Sequence, residues 1–279
     1  MSLMPDIDRL LDTDERNARE MHRFFAGFQG LSELLNEASV LYATCARAFG
    51  QTLNRNLDSF PRDIRPDDAV VAALLADRYR ALLFARIGIF YSAAVADLLR
   101  MRLTVPLGYL RLQCESIALL KLMSEDTAVT QQWAGIQSDK EGRAFFQKYQ
   151  KRVMAILNTY GLSNTYDHTS GAALHSRFIG LAQGYRSRSY TDGLRVIQED
   201  RINLQEFDPE NPHRFMIEVI FTVLRTQALI FAKLRDAVPE INDLLLLETR
   251  FPQFIGKVNQ LMDRAREHFA QYFPDGAEQ

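Results

Sequence analysis

Two long apolar stretches constrain this chain more than anything else in it. Residues 81–99 are apolar almost throughout, with Arg86 and Asp97 as the charged residues among them. A few residues on, 107–122 carries Leu107, Leu110, Leu112, Ile117, Leu119, Leu120 and Leu122, which at helical spacing fill every angular sector. A helix that is apolar all round must be surrounded, either by lipid or by other helices. Each charge at mid-bilayer costs ~2.5–3.5 kcal/mol, so Arg86 and Asp97 favour a protein interior over a membrane span. The two stretches are therefore expected to be the central helices of a bundle, wrapped by the rest.

The remainder of the chain supplies the wrapping. Helices are predicted over about 6–27, 32–57, 67–102 (with a kink near Gly88), 104–124, 126–136, 138–160, 164–178, 208–238 and 254–272. Their signals are local. Pro106 stands in a first turn, where its missing N–H is not needed. Ser138 and Glu141 fit a capping box, Gly161 ends the helix that they open, and Asp208-Pro209 starts another. Residues 179–208 lack a helical stripe. Gly184 and Gly193 interrupt them, and 194–197 and 202–204 have strand-like character, so an irregular or β excursion is expected there. With 14 Gly and 9 Pro in 279 residues, an all-β fold rich in tight turns is disfavoured. The prediction is one all-α domain over 1–279, a bundle of about eight helices.

Composition narrows the function classes. At 47% hydrophobic, 24% charged and a formal charge of −2, the chain is neither disordered nor a basic nucleic-acid coat. Its 27 arginines are spread along the chain among 35 acids. The alternation Tyr185-Arg186-Ser187-Arg188-Ser189-Tyr190 is a loop in which aromatic and guanidinium groups interleave, but two arginines are too few to favour a nucleic-acid partner. Cys45 and Cys114 lie among apolar neighbours and read as buried thiols. No basic and apolar leader pattern precedes the first helix, so a cytoplasmic location with no membrane span is expected.

Nucleotide-binding, zinc-protease and serine-hydrolase motifs are absent from the sequence. Arg111 and Glu115 stand at i and i+4 on a central helix, flanked by apolar residues, so they share a face and are poorly solvated. They form a structural lock or part of a polar pocket. Further on, His168, Ser170 and His175 follow Tyr166 and Asp167 within one short segment. The histidines are seven apart, too far for direct chelation of one ion, so neither metal nor cofactor is expected. Glu210-Asn211-Pro212-His213 has the spacing of a di-metal pair, but Pro212 puts it at a helix start.

The run Leu110-Arg111-Leu112-Gln113-Cys114-Glu115-Ser116, the spacing from Asp126 to Trp133, and Ser170-x4-His175 together resemble a set of uncharacterised bacterial all-helical proteins. These carry an R-x3-E-S helix followed by an S-x4-H helix. The resemblance covers about 80–180 and implies a helical bundle of the bacterial cytoplasm. By carry-over, Arg111, Glu115, Ser170 and His175 are expected to meet in space. Arg16-Asn17-x4-His22 resembles the motif of HEPN-type RNA-cleaving bundles. It departs from them in lying on the first helix, with its two residues about 120° apart.

Three readings of function are left open. The preferred one is a non-enzymatic binding or interaction protein that self-associates through an apolar face such as Phe24, Phe25 and Phe28. The second is a pocket in which Arg111, Glu115 and His175 take a small anionic ligand. The third is metal-independent RNA cleavage.

Overall fold

The structure is a computed structural model that describes residues 30–58, 69–100, 104–169, 212–241 and 244–269, together with Glu15, Ala18 and Arg19. Among the described residues there are eight α-helices and no strand. They are α1 (Leu31–Asp58), α2 (Ala69–Leu99), α3 (Thr104–Glu125), α4 (Thr127–Ala134), α5 (Asp139–Tyr160), α6 (Ser163–His168), α7 (Pro212–Ala237) and α8 (Leu245–Phe269), with a 3-10 turn at Pro239–Ile241. The all-α bundle read from the periodicity is what folds. The 179–208 excursion, the 208–211 helix start, Phe24, Phe25, Phe28, Arg16 and His22 lie outside the described residues.

The local stop signals work as chemistry requires. Ser138 Oγ accepts the Glu141 N–H at 3.3 Å, and Glu141 returns a carboxylate oxygen to the Gln137 N–H at 2.7 Å. At the other end of α5, Gly161 takes a left-handed φ of 71°, and Leu162 N–H closes on the Leu157 carbonyl at 2.8 Å. Asp126 caps α4 through the Ala128 N–H and is held by Arg152 at 3.1 Å, while Trp133 meets Tyr79 edge-on. The Asp126-to-Trp133 spacing is thus a cap and a packing anchor.

α3 is the surrounded helix. Leu107, Leu110, Cys114, Ile117, Ala118, Leu119, Leu120, Leu122 and Met123 are all buried, with α2 against one side, α7 against another, and α4, α5 and α6 completing the ring. Burying each large apolar side chain contributes ~1.5–3 kcal/mol, so this helix organises the core. α2 and α3 form the most extensive helix pair. α2, however, is not wrapped. Its inner face of Leu83, Phe84, Ile87 and Tyr91 is buried, whereas Leu82 is 57% and Ile89 65% exposed. Among the described residues, helices pack on α2 from only part of its circumference, and Leu82 and Ile89 lie on its open side.

Three other expectations are corrected. α2 is one continuous helix rather than a helix interrupted at Gly88, where the missing side chain allows close approach: a Cβ there would stand 3.4 Å from that of Tyr42 on α1. α8 begins at Leu245 and carries Pro252 within it, rather than starting at 254. Phe251 and Phe254, both buried, pack on Phe231 at 5.1 and 5.2 Å, and this tertiary contact outweighs the local cost of the proline. α6 ends at His168, and Thr169 Oγ1 back-bonds to the Thr165 carbonyl at 2.6 Å.

Candidate functional site

Arg111 and Glu115 sit on the same face of α3 as their spacing requires, Arg111 Nε being 3.3 Å from Glu115 Oε1. Their side chains are 29% and 21% exposed, so the pair is half-buried and reaches water on one side. The partner that the sequence did not single out is Tyr166 on α6. Arg111 Nη1 donates to the Tyr166 carbonyl at 3.1 Å and Nη2 to its hydroxyl at 2.6 Å, with the guanidinium carbon 3.8 Å from the ring centroid. One guanidinium therefore caps the last turn of α6, lies on the tyrosine ring and neutralises Glu115.

Burial pushes the Tyr166 hydroxyl above its usual range; the Glu115 charge adds to this and Arg111 opposes it. The tyrosine is thus a neutral hydrogen-bonding group near neutral pH. Ser116, next in the R-x3-E-S run, spends its hydroxyl on the Leu112 carbonyl at 2.7 Å. Ser170 and His175 lie outside the described residues. Of the four residues expected to meet, the structure brings together Arg111 and Glu115.

Beside this cluster opens a cavity of about 770 Å³ between α3, α5, α6 and the turn before α5. Glu115 and Tyr166 form its inner wall. Arg143, Gln147 and Gln150 of α5 supply polar groups beside the Asp139 carboxylate of its first turn, and Ile136, Phe146, Val153 and Met154 supply apolar surface. Phe146 is 39% exposed, an available ring face. Arg111 is not among the lining residues, because its guanidinium is turned onto Tyr166. Arg143 does line the cavity, is exposed, and has no ion pair among the described residues. Sequence reasoning missed Arg143, Gln147 and Gln150, since three polar residues on an outer helix face read as a solvated stripe.

Elsewhere the ionisable groups are structural. The most deeply buried cation among the described residues is Arg80 on α2, 7% exposed, which pairs with Glu240 of the 3-10 turn through both terminal nitrogens. Cys45 and Cys114 are buried and unpaired, and burial pushes each thiol up to about 12. Among the described residues no group of three or more His, Cys, Asp and Glu side chains is placed to hold a metal ion. Compared with known proteins, the chain matches no protein-family model, no curated protein and no solved structure, so the site is read from its own geometry.

Proposed function

We propose that this chain is a non-enzymatic helical binding protein whose cavity between α3, α5 and α6 takes a small organic anion with an apolar body. The observation that carries the reading is the composition of the cavity wall. A volume of about 770 Å³ lies within the range of small-molecule sites. Its apolar floor suits a hydrocarbon or ring, and Arg143 offers a guanidinium for a carboxylate. Gln147, Gln150 and the Tyr166 hydroxyl supply hydrogen bonds that select among such anions.

The same wall argues for binding over catalysis. Burial keeps the Tyr166 hydroxyl protonated near neutral pH, and the Glu115 carboxylate is engaged in its ion pair with Arg111. Arg111 acts in this reading as the residue that positions Tyr166 and Glu115, while Arg143 meets the ligand.

A thermal-shift and calorimetric survey of aliphatic and aromatic carboxylates tests the reading. At least one should raise the melting temperature of the wild-type protein, since ligand at ~100 times Kd adds ~2.7 kcal/mol. Arg143→Gln should abolish that shift. A protein that responds to no carboxylate, or an Arg143→Gln variant that responds as wild type does, would overturn the proposal.

A further inference from the structure

We propose that the open face of α2 is a docking surface for an anionic lipid bilayer, on which the protein lies without spanning it. On α2 the exposed side chains over 78–92 are Arg78, Leu82, Arg86, Ile89 and Ser92. At 100° per residue Arg78, Leu82, Arg86 and Ile89 fall within a sector of about 80°, along roughly 17 Å of helix. The half-buried Ala93 and Ala96 lie in the same sector, so Leu82 and Ile89 project past small neighbours.

The charge of this stripe selects the occupant. The acids nearest to it on α2, Asp77 and Asp97, lie outside the sector, and both are less than fully exposed. Neither Arg78 nor Arg86 has an ion pair among the described residues. Arg86 lies over the Phe90 ring at 4.8 Å, and Phe90 stacks on Tyr109 of α3 at 6.0 Å, which adds an aromatic flank. Guanidiniums interleaved with projecting aliphatic side chains match a surface with anionic headgroups over an apolar interior. A second copy docked through the same stripe would oppose it with a face of like sign. A partner helix needs a groove, whereas these side chains stand out from a convex helix.

α2 is apolar and long enough to cross a membrane by length and composition alone. Its opposite face, however, is committed to the bundle through Leu83, Phe84, Ile87 and Tyr91, and Arg80 is bound to Glu240. Insertion across a bilayer would break those contacts, so the helix lies on the surface.

Co-sedimentation with vesicles of phosphatidylcholine alone, or mixed with phosphatidylglycerol, tests this on the full chain. Wild type should bind the anionic vesicles and not the neutral ones, and binding should weaken as salt rises. Arg78→Gln with Arg86→Gln should reduce binding roughly thirtyfold. Leu82→Ser with Ile89→Ser should reduce it severalfold at unchanged charge. Both double variants alter exposed positions and should keep the wild-type circular dichroism and melting temperature. The proposal is overturned by absence of binding to anionic vesicles, by equal binding to neutral ones, or by variants that bind as wild type does. It is also overturned if size exclusion shows a dimer that Leu82→Ser with Ile89→Ser dissociates.

Discussion

Gln113 of α3 and Gln227 of α7 exchange hydrogen bonds through their side-chain amides at the centre of the bundle. Gln227 Nε2 donates to Gln113 Oε1 at 3.0 Å, and Gln113 Nε2 reaches Gln227 Oε1 at 3.4 Å. Both residues are fully buried. The network extends outward: the Tyr42 hydroxyl of α1 donates to Gln227 Oε1 at 2.6 Å, and Gln113 Nε2 donates to the Ile87 carbonyl of α2 at 2.9 Å. Four helices are thereby held in one register, since sliding any of them strands a polar group away from water.

Replacing one amide of that pair exposes its cost. Gln113→Leu leaves Gln227 without its amide partner and the Ile87 carbonyl without its side-chain donor, and should destabilise the protein by about 2–4 kcal/mol in urea unfolding. Adding Gln227→Leu and Tyr42→Phe removes the remaining orphaned groups and should recover much of that loss. The triple variant should then show a broader or less cooperative transition, because an apolar core specifies register less sharply.

The Arg80–Glu240 pair makes a second test. Glu240→Leu alone strips the buried guanidinium of its main partner and should cost about 3–5 kcal/mol. The double variant Arg80→Met with Glu240→Leu should return close to wild type. The guanidinium in the native protein also carries a buried Nε–H with no hydrogen-bond partner among the described residues, so the pair is incompletely compensated. A double-mutant cycle read from urea midpoints checks both statements.

Stability against pH follows from two carboxylates shifted in opposite directions. Burial alone would raise Asp236, but hydrogen bonds from Lys121 at 2.7 Å and the Tyr160 hydroxyl at 2.6 Å outweigh it and hold the carboxyl below its usual range. Its contribution is present above the unfolded carboxylate range and is lost as pH falls through the lowered folded value. Half-exposure keeps that contribution modest. Asp77 is raised by burial and then by the Glu240 charge, with Arg80 opposing, so its ionisation weakens the fold as pH rises through the carboxylate range. Asp236→Asn should therefore flatten the acid limb of a midpoint-versus-pH curve. Asp77→Asn should raise the midpoint at neutral pH.

Tyr166 is expected to hold α6 through Arg111. Tyr166→Phe removes one acceptor but keeps the ring and the carbonyl, at a cost of ~1 kcal/mol. Arg111→Gln removes the cation over the ring and the partner of Glu115. Hydrogen exchange should show α6 amides losing protection in Arg111→Gln while those of α7 are unchanged, the cavity wall loosening without the core.

Much of the bundle was legible locally. Ser138, Glu141 and Gly161 delimit α5, and the all-round apolar pattern of 107–122 marks α3 as the buried centre, because caps and burial stripes are set by residues within one or two turns of each other. The same periodicity misled for α2. An apolar outer face reads identically whether a helix covers it or not, and only the packing shows Leu82 and Ile89 open. The candidate site was half legible: Arg111 with Glu115 follows from i,i+4 spacing, whereas Tyr166 lies 55 residues away and Arg80 lies 160 residues from Glu240. Gln113 and Gln227, 114 positions apart, give no pattern at all until the helices meet. Sequence by itself determined where most of the described helices lie and that the 107–122 segment must be buried. Only the tertiary structure decided which polar groups find one another and which apolar face stays uncovered, since those depend on how helices are juxtaposed and not on any spacing along the chain.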